Sequence, residues 1–374
     1  MDTRNTQYVS AVSTTVASLL VLLILTLSGH AMSQEHEHHD HGATVPDMDA
    51  DGKRLESYQV KHQMSEETIA ALRAKIALYR GMTDRELKLN MSSMGPNYEW
   101  YASELAMQGD IGVLILSHGV GENSDRMLKE SLEPVSRQQP TAIGFGMAMM
   151  TSAHLQSAVD DLIERGAKKI VLVQNGTTTE YNSLTRQWKY IFGLGEEATY
   201  LEVPVVKADV EFILAEPFSD NQLITDILYD NVKEVSKNPA NEVVIIVGHG
   251  PEDNEDNEPD LEILSAHVDR IAAKNEFADV KLINLQDDAI PPIRKSNVKR
   301  LRRWITKATD NGHDVIVVAI AAASHGVQTH IRQDLRGLDY TFADKGMSEH
   351  PKYIEWIALT VENALSTDSV AQIR

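Results

Sequence analysis

The sequence of 374 residues contains no cysteine, and this absence excludes several kinds of site at once. Disulfides, thiolate metal ligands, cysteine nucleophiles and iron–sulfur clusters all require the missing thiol. A lipid anchor on an N-terminal cysteine is excluded for the same reason. Basic residues are also scarce, since 35 Lys and Arg stand against 55 Asp and Glu and give a formal charge of −20. A nucleic-acid partner is therefore not expected, because its binding surface needs clustered basic side chains.

The N-terminus combines a basic residue with a long apolar stretch. Arg4 precedes the apolar residues 9–27, and Gly29 and Ala31 follow them in the small-x-small pattern of a cleavage site. We therefore predict that residues 1–31 are a secretory signal peptide. The alternative is an uncleaved membrane anchor, because the stretch nearly reaches the length that spans a bilayer. Either interpretation predicts a periplasmic or otherwise extracytoplasmic protein that meets the membrane only through this segment.

Two further segments precede the main body of the chain. Residues 32–60 are predicted to be a linker, and their tract Glu35-His36-Glu37-His38-His39-Asp40-His41 is dense in imidazoles and carboxylates. Such a tract binds Co, Ni, Zn or Cu ions without fixed geometry; a solvated leader is the compatible structural interpretation. Residues 61–110 are predicted to be a helical extension, with helices at 65–79 and 84–91. No chemistry is assigned to this extension.

From residue 111 onward, short apolar runs alternate with amphipathic stretches, which predicts an α/β fold with parallel sheets. The predicted strands are 111–116, 141–145, 169–173, 200–206, 242–247, 280–284, 314–320 and 340–343. Residues 111–218 and 219–374 look like copies of each other, because strand–His–Gly opens both, at His118-Gly119 and at His249-Gly250. We therefore predict two similar halves built from βα repeats, following the N-terminal helical extension.

Histidines in the second half are placed where α/β proteins bind their ligands. His249 directly follows one predicted strand, and His330 lies in a glycine-bearing loop after another, so both belong to the carboxyl edge of the sheet. Two neutral imidazoles facing one cleft can hold a divalent ion and leave positions open for a substrate. One of them can also serve as a general base. His325 is close enough in sequence to assist, and a position facing solvent is equally compatible with its loop.

These motifs resemble those of the sirohydrochlorin cobaltochelatases, within the ATP-independent class II chelatase superfamily. A half-domain of that family opens with strand–Gly-His-Gly, which Gly248-His249-Gly250 matches. The family closes its site with a loop Gly-x-His-hydrophobic-x-x-Asp, which His330 to Asp334 match with Gly326 set further back. Ala215-Glu216-Pro217-Phe218 resembles the family's Glu-Pro-Leu region. The resemblance covers about residues 111–365.

The resemblance implies that the chain is a chelatase-like enzyme that inserts a divalent metal ion into a sirohydrochlorin-type tetrapyrrole. His249 and His330 would bind the metal and remove pyrrole protons, and Glu180 would be a third metal ligand. The first half lacks a histidine in its corresponding loop, so His118 is interpreted as auxiliary or as a relic of duplication. Cobalt is favoured, with nickel and iron open. No nucleotide is expected, because the phosphate-binding motif GxxxxGK[ST] is missing.

Several alternatives stay open at this stage. An exported carrier of metal or tetrapyrrole with the same fold would show the same motifs, whereas a serine hydrolase is disfavoured because no Gly-x-Ser-x-Gly elbow occurs. The acidic run after His249, which begins at Glu252, is either a solvated loop or an attractor for cations. The basic residues of 294–303 form either an ordinary exposed helix face or a site for carboxylates. The oligomeric state is not fixed by the sequence.

Overall fold

The computed structural model describes residues 48–54, 64–93, 96–119, 121–323 and 327–371. Two sheets lie at its centre, one from each half of the sequence. The strands are β1 (Tyr98–Tyr101), β2 (Ile111–Ser117), β3 (Thr141–Phe145), β4 (Lys169–Asn175), β5 (Glu211–Leu214), β6 (Glu242–Gly248), β7 (Asp279–Asn284), β8 (Asp314–Ile320) and β9 (Thr341–Ala343). Their order is β1-β3-β2-β4-β5 in the first sheet and β7-β6-β8-β9 in the second.

The two sheets have the same topology apart from one strand. In each half the first parallel strand lies in the middle, the second on one side of it, and the third and fourth on the other side. All of these pairs are parallel, whereas β1 adds an antiparallel edge to the first sheet. The predicted α/β fold with two similar halves is therefore confirmed. The predicted helical extension also contributes a strand, β1, that the periodicity did not reveal.

Helices cover the faces of both sheets, as parallel strands require. They are α1 (Glu66–Lys75), α2 (Asp84–Ser93), α3 (Glu122–Ser131), α4 (Glu133–Ser136), α5 (Ala153–Glu164), α6 (Ser183–Ile191), α7 (Gln222–Val235), α8 (Asn254–Ala272), α9 (Pro291–Asp310), α10 (Val327–Asp334) and α11 (Pro351–Ala371). Short 3₁₀ turns lie at Ala77–Gly81, Pro239–Asn241 and Met347–Glu349. Within the described ranges no helix combines the length and apolarity needed to cross a bilayer. The predicted signal segment 1–31 and the histidine tract fall outside those ranges.

One hydrophobic core joins the two halves. Val113 of β2 and Val244 of β6 belong to the same buried cluster, together with side chains of α7 and α11. The next residue along each strand points to the opposite face, as strand alternation requires, so Leu114 packs under α5 and α6 and Ile245 packs under α9 and α10. The C-terminal helix links the halves further, because Trp356 of α11 lies 4.9 Å from the ring of Phe218.

The predicted strand at 200–206 is wrong. Tyr200, Val203 and Val206 are buried, but the backbone of the segment pairs with no strand. The amide of Tyr200 donates to the side chain of Gln187 at 3.0 Å, and the amide of Val206 donates to the carbonyl of Ile191 at 2.8 Å. Pro204 also has no N–H to give to a ladder. The sheet position is filled by β5, which pairs with β4.

Candidate metal site at the carboxyl edge of the second sheet

His249 is positioned by the glycines on either side of it. A side chain at Gly250 would place its Cβ only 2.5 Å from Cβ of Asn284, and Gly250 itself has a φ of +77°. Asn284 cannot give way easily, because its Nδ2 donates to Asp260 Oδ2 at 2.6 Å in a fully buried position. The ring Nδ1 of His249 lies 2.9 Å from the carbonyl oxygen of Gly250, to which it can donate. The Nε2 atom is thereby left as the metal-binding or proton-accepting nitrogen.

Two consecutive carboxylates after β7 face this imidazole. Nε2 of His249 lies 3.5 Å from Oδ2 of Asp288, and the backbone amide of Asp287 donates to the carbonyl of His249 at 3.2 Å. The side chain of Asp287 is only 4% exposed, whereas that of Asp288 is 44% exposed. One carboxylate is therefore a buried neighbour of the histidine, and the other lies at the mouth of the site.

His330 contacts the buried one of these two carboxylates. It lies on α10 and not in a loop as predicted, and its Nδ1 is 3.6 Å from Oδ2 of Asp287. About half of the His330 side chain is exposed, so the imidazole remains accessible to a ligand. The two histidines predicted from the motifs therefore converge on the segment Asp287-Asp288, which sequence reasoning did not identify.

Asp334, the aspartate of the motif that contains His330, is connected to the site through Arg294. Nη2 of Arg294 donates to Oδ2 of Asp334 at 2.8 Å, and Nε of the same guanidinium donates to Oδ1 of Asp287 at 2.9 Å. Asp334 thus holds Arg294 against Asp287, and Asp287 in turn contacts His330. The spacing of His330 and Asp334 places both side chains on one face of α10, which is what this chain of contacts requires.

The charges of this network alter the protonation of its members. Burial alone would lower the pKa of His249, but Asp288 and Asp287 outweigh it and raise that pKa above 6.5. The contact with Asp287 likewise raises the pKa of His330. Burial would raise the pKa of Asp287, yet His330, His249 and Arg294 lower it below its ordinary value. The site therefore presents a persistent carboxylate beside two imidazoles that are more basic than usual.

Two buried carboxylate oxygens near His249 lack a hydrogen-bond donor within the described part of the chain. They are Oδ2 of Asp287 and Oε1 of Glu252. Burial, followed by the charges of Asp288 and Asp253, raises the pKa of Glu252 to about 7, while Ser183 and His249 act in the opposite direction. Buried acceptors without donors are uncommon and call for a proton or a cation. Among the described residues, however, no three His or acidic side chains form a ready-made metal cage.

Glu180, the predicted carboxylate ligand, lies at the surface. Its side chain is 63% exposed, and the Nζ atom of Lys189 is 3.9 Å from its Oε2. The loop does reach the second half, but through its threonines, since Thr179 Oγ1 donates to Oδ1 of Asp260 at 2.5 Å. The ligand role of Glu180 stays a prediction, while Glu252 and Asp287 have the burial and the unused oxygens that such a role requires.

A pair of substitutions separates these candidates. Glu252→Gln is expected to weaken Co²⁺ binding by about tenfold at pH 8, where this carboxyl is ionised, because it removes a buried anion beside His249. Glu180→Gln is the matched control and should leave the affinity within about twofold, as expected for an exposed ion pair. Competition titration with a chromophoric chelator gives both values. A larger loss of Co²⁺ affinity with Glu180→Gln than with Glu252→Gln would support Glu180 as the metal ligand, as the resemblance implies.

The first half preserves the histidine but not the carboxylates. Gly119 has the same φ of +77° as Gly250, and Nδ1 of His118 lies 2.6 Å from the carbonyl oxygen of Gly119. β3 pairs with β2 in the same register in which β7 pairs with β6, so the residues that follow β3 and β7 can be compared one by one. In this comparison Ala148 corresponds to Asp287, and Met149 corresponds to Asp288. Within the described residues His118 has no carboxylate partner, and its auxiliary role stays a prediction. His325 lies outside the described residues.

The N-terminal extension packs beside the site. Tyr79 of its 3₁₀ turn, Met149 after β3 and Tyr200 form one buried cluster with side chains of α1 and α2. Burial raises the pKa of Tyr200, and the nearby charges of Asp288 and Glu252 raise it further. The extension therefore supplies part of the apolar surroundings of the site. The methionines after β3 contribute to this wall.

The structure is an α/β fold with two similar halves and a pair of histidines at the carboxyl edge of the second sheet. The structure of SirB from Bacillus subtilis with Fe³⁺ has the same fold, with a TM-score of 0.52 and 14% identity over 70% of this chain and 98% of SirB. DR2241 from Deinococcus radiodurans, described as a multi-domain protein with structural similarity to chelatases, has a TM-score of 0.41 at 14% identity over 67% of this chain and 55% of that protein. No family model and no curated protein sequence matches the chain.

Proposed function

We propose that this protein inserts a divalent metal ion into a sirohydrochlorin-type tetrapyrrole, without ATP, outside the cytoplasm. The observation that carries the proposal is the convergence of His249 and His330 on Asp287-Asp288 at the carboxyl edge of the second sheet. The likeness of the fold to SirB and the resemblance of both histidine motifs support it. Cobalt is the favoured metal because of that resemblance, and nickel and iron are the alternatives.

Insertion exchanges one divalent ion for the two protons of the pyrrole N–H groups. The site can serve both sides of this exchange, because an imidazole either binds the ion or accepts a proton. The raised pKa values of His249 and His330 make each a better proton acceptor, and the carboxylate of Asp287 stabilises the imidazolium that results. Protons then leave to water through the exposed sides of His330 and Asp288.

The openness of the site favours transfer of the metal over permanent storage. A structural metal site presents a closed set of protein ligands, usually four, whereas a site that passes its ion onward keeps positions free. The described residues offer two imidazoles and neighbouring carboxylates without such a closed set. The histidine tract of residues 36–41 is proposed to collect ions for this site.

Anaerobic absorbance spectroscopy tests the proposal. Full-length protein is mixed with sirohydrochlorin and Co²⁺, Ni²⁺ or Fe²⁺, without ATP, and the initial rate is compared with the reaction without protein. We expect acceleration with at least one metal, Co²⁺ first, and its loss in His249→Ala and His330→Ala. If the protein binds metal or tetrapyrrole without accelerating insertion, the carrier function replaces the chelatase function.

The pH dependence of insertion provides a second test. Proton acceptance and metal binding both need neutral imidazoles, so the rate should fall as the pH drops through the raised pKa values of His249 and His330. Asp287→Asn removes a charge that raises both values. The acid limb of the rate profile should therefore move to lower pH, while the maximal rate decreases because the imidazolium loses its counter-ion. An acid limb that stays in place or moves to higher pH would contradict this role of Asp287.

A further inference from the structure

One face of α9 carries a stripe of four cations at intervals of four residues. They are Lys295, Lys299, Arg303 and Lys307, and all four side chains are exposed. Within the described residues none of them lies within ion-pair distance of a carboxylate, although the chain as a whole has 55 acidic residues. Like charges four residues apart on a helix repel each other and destabilise it. A charge pattern with this cost, in a protein of net charge −20, indicates an anionic ligand.

The cations border a groove and do not stand on a flat surface. The groove has a volume of about 920 Å³, and it lies between α9 and the segment that contains Asp334 and Leu338. Its lining is mainly basic, with Val298 and Leu338 as the apolar residues and Asp310 and Asp334 as the acidic ones. A volume of this order is typical of sites that enclose a small organic molecule.

The groove is connected to the metal site through Arg294. This residue lines the groove, and its guanidinium bridges Asp334 and the buried Asp287. Arg302, also in the lining, donates to the carbonyl oxygens of Asp334 and Arg336 and thereby fixes the opposite wall. A ligand in the groove would therefore contact residues that hold Asp287 against His330.

The spacing of the charges indicates the class of ligand. Four residues of helix rise about 6 Å, so the four cations extend over about 18 Å. Single cations on successive turns suit separate carboxylates, whereas phosphate groups favour several donors converging on one anion. A concave groove fits a small molecule better than the plane of a membrane, and the negative charge elsewhere on the protein would repel a long polyanion.

We infer that this groove binds an amphiphilic polycarboxylate, that is, a molecule with an apolar body and several carboxylates at its rim. For the identity of that ligand the inference rests on the proposed function, because a tetrapyrrole that bears carboxylates belongs to this class. The groove is separate from the edge where insertion takes place. It would hold the macrocycle before or after it meets His249 and His330.

Affinity labelling locates the ligand directly. Uroporphyrin, which has carboxylates all round its ring, is activated as its N-hydroxysuccinimide ester and added to metal-free full-length protein, and the modified lysines are mapped by mass spectrometry. Labelling is expected at Lys295, Lys299 and Lys307, with protection by free uroporphyrin. Lys88 and Lys237, exposed lysines outside α9, are the internal controls. Equal labelling of stripe and control lysines, or labelling without protection, overturns the inference.

Charge reversal measures the contribution of the stripe. The double variant Lys299→Glu/Arg303→Glu should bind uroporphyrin about tenfold more weakly, or worse, in fluorescence titrations at low salt. The matched control Lys88→Glu/Lys237→Glu makes the same change in net charge and should bind as wild type does. Fully esterified uroporphyrin, which has the same ring without the charges, should bind no better to wild type than to the stripe variant. Equal affinities of the stripe variant and the control for uroporphyrin overturn the inference.

The two proposals fail in different ways. Loss of insertion in His249→Ala with intact labelling of the stripe supports both. Protected labelling of the stripe in a protein that never accelerates insertion supports the groove while removing the chelatase function. Insertion at the wild-type rate by Lys299→Glu/Arg303→Glu, together with wild-type affinity for uroporphyrin, leaves the chelatase function standing and removes the groove.

Discussion

Replacing His249 or His330 by alanine should lower the rate of metal insertion by about a hundredfold or more, because each imidazole is proposed to bind the ion or to accept a pyrrole proton. The double variant should lose little beyond the larger single loss, since the two side chains act as a unit on one substrate. Initial rates measured anaerobically with Co²⁺ and sirohydrochlorin give these values.

His118→Ala is the matched control for this prediction. His118 follows its strand in the same geometry as His249, but Ala148 and Met149 stand where the second half has its carboxylates. Its replacement should leave the rate within about threefold of wild type, in keeping with a histidine that has no carboxylate partner among the described residues. A loss as large as that of His249→Ala would place the chemistry in the first half and contradict the assignment of the site.

Gly250→Ala should destabilise the protein and also inactivate it. Any side chain at a φ of +77° costs about 1 kcal/mol, and the new Cβ would lie 2.5 Å from Cβ of the buried Asn284. The surrounding structure must shift to relieve that overlap, so the total loss in free energy of unfolding should reach about 3 kcal/mol. Because the strain falls beside His249, the rate of insertion should fall along with the stability.

Gly119→Ala isolates the backbone part of this effect. Gly119 has the same φ, but a Cβ there would meet its nearest atoms, in Asp125 and Phe145, at an ordinary 3.5 Å. Its cost should be limited to about 1 kcal/mol of backbone strain, with insertion retained. Urea unfolding of both variants and of wild type gives the comparison. Equal destabilisation by the two alanines would show that Asn284 does not hold the His249 turn in place.

The sequence predicts the architecture well because its signals are local. Continuous apolar runs such as that of β6 occur where a strand is buried on both faces, and the repeated strand–His–Gly indicates the duplication. The error at 200–206 has a local cause as well, since an apolar segment can be buried against a helix instead of a strand. β5 was missed because a four-residue edge strand carries too little pattern to stand out.

The carboxylates of the candidate site depend on contacts that the sequence does not display. Asp287 joins His249 and His330 only after three strands have been placed side by side, and Arg294 looked like part of an exposed basic helix face. A signal was nevertheless present, because Asp287-Asp288 follows the end of β7 at the same sheet edge as His249. The rule that identified the histidines would have found these aspartates. Glu180 was proposed from a loop resemblance alone, and the structure places its side chain beside Lys189 in solvent.

The most direct test of the account is the identity of the metal ligands. Co²⁺ bound to full-length protein, with the tract histidines 36, 38, 39 and 41 replaced by alanine, is examined by X-ray absorption spectroscopy and compared with the same protein carrying His249→Ala or His330→Ala. We expect outer-shell scattering from imidazole that weakens in each of these variants. An imidazole signal that is unchanged in both would place the metal elsewhere and contradict the proposed site.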